Sequence, residues 1–218
     1  MINAITLLKR RQDLSDNEFQ HYWRNQHADV IATLPGIRRY VQSHPLLEIY
    51  AEDDPVYDGV AELWANDSQA FRDIGASDAY AAVQADEENF LDRKANALVL
   101  TDEHIIKDGS VADDGVKCIR LFTRAQDMPV DEFQSYWRDQ HGPLIASLPL
   151  LDRYVQYPAR AGGYAKGRQP AYDGFDVTWF GSVNALQNAM HSTPCDQGSF
   201  LAAGDCPQII AREHVITG

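Results

Sequence analysis

His27 and His141 are the residues best suited to chemistry in this chain of 218 residues. An imidazole titrates near neutral pH and can give or take a proton in general acid/base catalysis. Each follows a tryptophan by four residues, in Tyr22-Trp23-Arg24-Asn25-Gln26-His27 and Tyr136-Trp137-Arg138-Asp139-Gln140-His141. On an α-helix that spacing puts Trp23 with His27, and Trp137 with His141, on one stripe. Burying a histidine on an apolar face is costly unless it is hydrogen-bonded. Each is therefore either a structural histidine bonded to a backbone carbonyl or a proton-transfer group facing a pocket. The two tryptophans are candidate substrate contacts on the same stripe.

Other groups could join them. His104 and His214 follow Glu103 and Glu213 in two strand-like segments, and strand alternation puts each Glu and His on opposite faces. They are candidate second acid/base groups or polar strand ends. Tyr40 and Tyr154 could donate a hydrogen bond to an oxyanion. Arg39 and Arg153 beside them could grip a carboxylate in bidentate fashion. Tyr40, Gln42 and His44 share one strand face, and His44 is a further substrate-binding candidate. Half one, with His27, Tyr40, His44 and His104, carries the richer set. No metal site is expected, because no His-x-x-x-His or Cys-x-x-Cys occurs. No cofactor is expected either: the chain has no dinucleotide fingerprint and no Gly-x-Ser-x-Gly elbow.

What positions these residues is a duplication. Residues 19–42 (FQHYWRNQHADVIATLPGIRRYVQ) match residues 133–156 (FQSYWRDQHGPLIASLPLLDRYVQ) without a gap. Pro55-Val56-Tyr57-Asp58-Gly59 likewise matches Pro170-Ala171-Tyr172-Asp173-Gly174. The domains are read as 1–110 and 115–218, joined by a polar, Gly-containing stretch. In half one, residues 2–9 read as a strand. Ser15 then caps a helix with Glu18 at capping-box spacing, and Pro35-Gly36 ends it. Strands follow at Arg39–Leu47 and Val60–Trp64, a helical stretch at 67–93 and a closing strand at 97–106. Half two repeats the order, with strands at 116–123, 152–158, 174–181 and 208–216 and helices over Val130–Leu148 and from Val183. This β-α-β-β-α-β order is the ferredoxin-like unit. One such unit leaves an apolar sheet face open. Two fused copies predict an α+β fold of pseudo-dimeric barrel type, with a homodimer also allowed.

The bulk properties narrow the partners. A formal net charge of −13 argues against nucleic acid and against an anionic membrane surface. No apolar run has the roughly 18 residues of a membrane helix. Three cysteines, Cys118, Cys195 and Cys206, show no disulfide or zinc spacing. With the charged Lys9-Arg10-Arg11 after rather than before the first apolar stretch, a cytoplasmic protein is expected.

The pattern Phe-x-x-Tyr-Trp-Arg-x-x-His, followed by Leu-Pro and Arg-Tyr-Val-Gln, resembles the EthD family of dimeric α+β barrel proteins. Both halves carry it, so the chain looks like a fused pair of units that elsewhere dimerise. The resemblance implies that the helix histidine faces a pocket between helix and sheet. Similar proteins act in aromatic and xenobiotic catabolism and in polyketide tailoring. The wider superfamily includes cofactor-free isomerases, cyclases, dehydratases and monooxygenases, and heme enzymes. The resulting expectation is a cofactor-independent acid/base enzyme of isomerase, lyase or ester hydrolase type. Its substrate would be a small oxygenated metabolite bearing a carboxylate. The alternatives are a non-catalytic or stress-related small-molecule binder, and an oxidoreductase of the heme or cofactor-free monooxygenase type.

Overall fold

The computed structural model describes residues 1–50, 54–192, 200–203 and 206–218, and of residues 191 and 192 only the backbone. Cys195 lies outside the described residues. The chain forms two compact units, Met1–Leu100 with Glu213–Gly218, and Thr101–Arg212.

The first unit runs β1 (Ile2–Leu8), α1 (Asp16–Tyr22), a π turn (Trp23–His27), α2 (Ala28–Ala32), β2 (Ile37–Pro45), β3 (Gly59–Ala65), α3 (Ser68–Gly75), α4 (Asp78–Glu87) and β4 (Ala97–Thr101). Its strands lie in the order β4-β1-β3-β2. Thr6 and Gln42 both pair with Ala61 across antiparallel ladders. Ser15 and Glu18 form the expected capping box at the start of α1. The helical stretch at 67–93 is two helices, because the Ser77 side chain accepts from the Tyr80 amide and starts α4 afresh.

The second unit runs β5 (His104–Lys107), β6 (Val116–Phe122), α5 (Val130–Tyr136), a π turn (Trp137–His141), α6 (Gly142–Ala146), β7 (Leu151–Pro158), β8 (Gly174–Phe180), α7 (Val183–Ser192) and the first residues of β9 (Gln208–Thr217). Its order is β9-β6-β8-β7-β5. Arg120 pairs with both Asp176 and Gln208, and Gln156 with Asp176. The closing strand read at 97–106 is broken at Asp102-Glu103, and its second piece, β5, pairs with β7. The compact units therefore differ from the sequence repeats by their last strands. Residues 101–110 belong to the second unit, and Glu213–Gly218 to the first.

Within each unit the helices cover one face of the sheet, and the tryptophan fixes the spacing. A Cβ on Gly59 would stand 2.5 Å from the Trp23 ring, and one on Gly174 2.4 Å from the Trp137 ring. The indole thus lies directly on the glycine of the Tyr-Asp-Gly motif, a close approach that no other residue allows. Each π turn is tied to the sheet as well. The Trp137 carbonyl takes the Gly142 amide, five residues on, and also Gln156 Nε2 at 2.9 Å. Gln42 Nε2 makes the same bond to the Trp23 carbonyl at 2.9 Å. The glutamine of Arg-Tyr-Val-Gln is therefore the clamp of a helical defect, of a kind that often marks functional sites.

Gly174→Ala should cost about 1–3 kcal/mol by overpacking against Trp137. Gly162→Ala, where a Cβ meets nothing within 4 Å, should change stability little. Urea denaturation of both variants checks this, and equal stabilities would refute the indole-on-glycine constraint.

Candidate functional site

The second unit holds a cavity of about 690 Å³ between its helices and sheet. That volume is in the range of small-molecule sites. Cys118, Arg120 and Phe122 reach it from β6, Thr178 and Phe180 from β8, and Gln208 from β9. Leu148, Leu186 and Met190 supply apolar wall, and His141 lines it from the π turn.

Beside this cavity lies a buried carboxylate. Asp176 is 0% exposed. Its Oδ1 accepts from Trp137 Nε1 at 3.1 Å and from the Tyr154 hydroxyl. Its Oδ2 accepts from Arg120 Nη2. Burial alone would push this carboxyl up. The Arg120 charge, the nearby His141 ring and the Tyr154 hydroxyl together outweigh burial and hold it well below the ordinary carboxylate range. Tyr154 is pushed far up by burial and by the adjacent carboxylate, so it acts as a donor and not as a base.

His141 is the unsatisfied member. It is 6% exposed, and both ring nitrogens are buried with no hydrogen-bond partner among the described residues. Nε2 stands 3.9 Å from Asp176 Oδ2, an ion-pair distance and too long for a hydrogen bond. Phe122 and Phe200 pack on the ring at centroid distances of 5.9 and 5.1 Å.

The first unit keeps the frame and changes its contents. Ala61 stands at the register position of Asp176, and Thr6 at that of Arg120. Trp23 Nε1 therefore donates to the Tyr40 hydroxyl, at 3.1 Å. His27 Nδ1 is bonded to Asp86 Oδ2 at 2.7 Å, and Tyr22 donates to the other oxygen. Burial lowers the His27 pKa, against the pull of Asp86. The helix-facing side is packed with Phe19, Ile74, Val83 and Phe90. The expectation that half one is the richer site is corrected here, because the buried ion pair and the described cavity belong to the second unit.

The remaining candidates divide by strand face and by strand exchange. His44 stacks on Trp23 at 4.4 Å and meets the edge of His214 at 5.0 Å. Its Nε2 is 3.0 Å from Gln42 Oε1, and its Nδ1 contacts Gln20 Oε1. Burial, with His214 and Arg24 nearby, pushes His44 down to about 3. His104 is in the second unit, opposite Gln156, and does not line the cavity. Arg39 lies over Trp64, on the strand face opposite Tyr40. Arg153 pairs with Asp108 at 2.6 Å and lies over Trp179. Neither arginine reaches the groups it was expected to assist. The cation at the cavity is Arg120, which sequence reasoning passed over. Its signal was present: where the aligned strands of half one carry Thr6 and Ala61, half two carries a charged pair of opposite sign.

The EthD domain matches the chain twice, over residues 11–94 and 125–197. The chain belongs to the EthD family. No curated protein matches it. Among solved structures, this EthD chain is similar to an anthrone oxidase-like protein, at 11% identity and a TM-score of 0.69 over 100% of this chain and 94% of that one. It is similar to a candidate monooxygenase from Lactobacillus acidophilus NCFM, at 11% identity and 0.54 over 99% and 94%. It is also similar to a mutant chlorite dismutase from Candidatus Nitrospira defluvii, at 6% identity and 0.58 over 99% and 92%. Likeness at these identities shows the fold, an α+β architecture of two βαββαβ repeats. These neighbours carry oxidoreductase names. The expectation of an isomerase, lyase or ester hydrolase, with its carboxylate-bearing catabolic substrate, is corrected on that ground.

Heme, part of one alternative read from the sequence, does not fit the donors present. A ligating histidine has its other ring nitrogen anchored by a carboxylate, carbonyl or water, and His141 has no such hydrogen bond among the described residues. Cys118 Sγ is engaged with Gln208 and Cys206 Sγ with the Leu121 carbonyl. Burial raises these thiols to about 12 and about 11, so neither is a thiolate ligand. Among the described residues no cluster of His, Cys, Asp and Glu could hold a metal ion. Nor is any described helix long and apolar enough to cross a membrane.

Arg120→Thr alone leaves Asp176 buried without its cation and should cost about 3–5 kcal/mol. Arg120→Thr with Asp176→Ala installs the pair found in the first unit and should recover most of that loss. The Asp176 pKa is lower folded than unfolded, so its stabilisation is full above the unfolded value of about 3.9 and fades as pH falls through the folded one. The double variant should therefore lose less stability than the wild type on acidification below pH about 4. Urea titrations across that range check both points, and a double variant as unstable as Arg120→Thr would refute the pairing.

Proposed function

We propose that the second unit is the site of an oxidoreductase of the cofactor-free monooxygenase type, in which the substrate itself reduces dioxygen. The observation that carries the proposal is the His141 imidazole, buried on the cavity wall with no hydrogen-bond partner among the described residues and 3.9 Å from an ionised carboxylate. A group held this way gains little until it takes a proton. Asp176 then stabilises the imidazolium. The oxidoreductase direction is supported by the names of the structural neighbours, the anthrone oxidase-like protein foremost.

The chemistry balances without a bound cofactor. A methylene acidified by a neighbouring carbonyl gives one proton to His141. The resulting carbanion passes one electron to dioxygen, and the substrate radical and superoxide combine to form a C–O bond. Protonation of the peroxide, cleavage of its O–O bond and loss of the second C–H proton give a carbonyl and water. The sum is CH2 + O2 → C=O + H2O. The apolar walls keep water from quenching the carbanion.

The test is dioxygen uptake with anthrone as the probe. One mole of dioxygen should be consumed per mole of anthrone oxidised, with no Soret band in the active protein. His141→Ala should lower the rate about 10²- to 10⁴-fold, and His27→Ala should leave it nearly unchanged. Unaltered uptake in a folded His141→Ala variant, or equal losses in both variants, would remove the assignment.

A further inference from the structure

Arg120 makes one hydrogen bond among the described residues, from Nη2 to Asp176. A guanidinium carries five N–H donors, and its other nitrogens are not among the buried unpaired atoms of the chain. The Arg120 side chain lines the cavity and keeps 23% of its exposure, so donors beyond the one that meets Asp176 face open space. Its register partner on β9 is Gln208. The Gln208 Oε1 is engaged by Cys118 Sγ at 3.7 Å, which leaves the Nε2 amide as a second open donor on the same wall. Next to these donors the surface turns aromatic. The guanidinium carbon lies 5.5 Å from the centre of the Phe122 ring, and Phe180 and Leu148 continue the apolar side.

An arginine tied to its counter-ion on one side, with open donors on the other, is rigid and ready for a second anion. We infer that Arg120 and Gln208 form an oxyanion-binding pair that holds the ionised oxygen of a planar aromatic molecule in its phenolate form, the anion that a ring carbonyl becomes once its activated methylene has given a proton to His141. This names the substrate class of the site proposed above, and in that respect it rests on that reading. A carboxylate would satisfy the same donors, but the aromatic flank adjoins the anion point directly and leaves a flat ring carrying the charged oxygen in its own plane. Binding as the phenolate raises the electron density of the ring that must reduce dioxygen. The first unit, with Thr6 in place of Arg120, has no counterpart to this donor.

The experiment is equilibrium binding of 4-nitro-1-naphthol, whose phenolate absorbs in the visible, with its methyl ether as the neutral control. It is done without dioxygen. Wild-type protein should bind the naphtholate and shift the ionisation of the bound dye to lower pH. In the folded Arg120→Thr/Asp176→Ala variant the affinity for the anion should fall about 10- to 100-fold, as expected for loss of a charge-assisted hydrogen bond. Gln208→Leu should lose several-fold. The methyl ether should bind all three proteins alike. Absence of saturable naphtholate binding, tighter binding of the ether, or an unchanged affinity in the double variant would each overturn the oxyanion pair. Naphtholate binding in a protein that takes up no dioxygen would instead sink the oxidase reading and leave the pair standing.

Discussion

A single backbone carbonyl organises each unit. In a regular α-helix the tryptophan carbonyl would bond four residues on. Here the turn is widened to five, and a glutamine from β2 or β7 adds a second donor to the same oxygen. That bond joins the π turn to the sheet at one point. The indole then has nowhere to lie but on Gly59 or Gly174, and its Nε1 meets Tyr40 on β2 in the first unit and Asp176, two residues beyond Gly174 on β8, in the second. The histidine at the end of the turn inherits its position from both constraints. Everything chemically distinctive about either unit follows from what the indole N–H and the histidine then meet.

In the first unit they meet a hydroxyl and a surface-proximal acid. Tyr40 takes the indole N–H, Asp86 takes His27, and Phe90 closes the space between them at 4.7 Å from the imidazole. The indole N–H, the imidazole and the acid of that set are each hydrogen-bonded. In the second unit the indole N–H meets Asp176 instead. A buried carboxylate demands compensation, and Arg120, Tyr154 and Trp137 supply it. His141 receives none of these hydrogen bonds.

Much of the frame was legible in the sequence. The repeat announced itself through Trp23/Trp137 and the Arg-Tyr-Val-Gln runs, and period-2 and period-3.6 patterns located most elements within a few residues. The exchange of the last strands was not legible, because β5 and the end of β9 are short polar-apolar segments whose partner is set by topology and not by composition. The bias toward half one came from counting histidines. His44 and His104 are real residues of strands, but counting cannot show that a buried ring such as His44 already touches two glutamines, or that His104 pairs in the other unit. Arg120 and Asp176 sit in different strands 56 residues apart, and only the antiparallel register makes them neighbours. The π turn is invisible too, since Trp-x-x-x-His reads as one ordinary helical turn.

The charges around the cavity point to the sign of what enters it. Asp176 and Arg120 cancel in charge. In the proposed reaction, proton transfer from substrate to His141 would leave the protein side with one extra positive charge in a low-dielectric setting, where its field is felt strongly. An anion left in the cavity offsets that charge, and the open face of Arg120 marks where its oxygen would rest. Were Arg120 absent, the imidazolium would be neutralised by Asp176 alone and nothing would favour keeping the substrate as an anion. Were Asp176 absent, Arg120 would face an incoming anion without an anchor, and the imidazolium would lack its partner. In the proposed reaction the pair would serve both halves of one proton transfer, a reason for a buried ion pair to stand where the other repeat carries an alanine and a threonine.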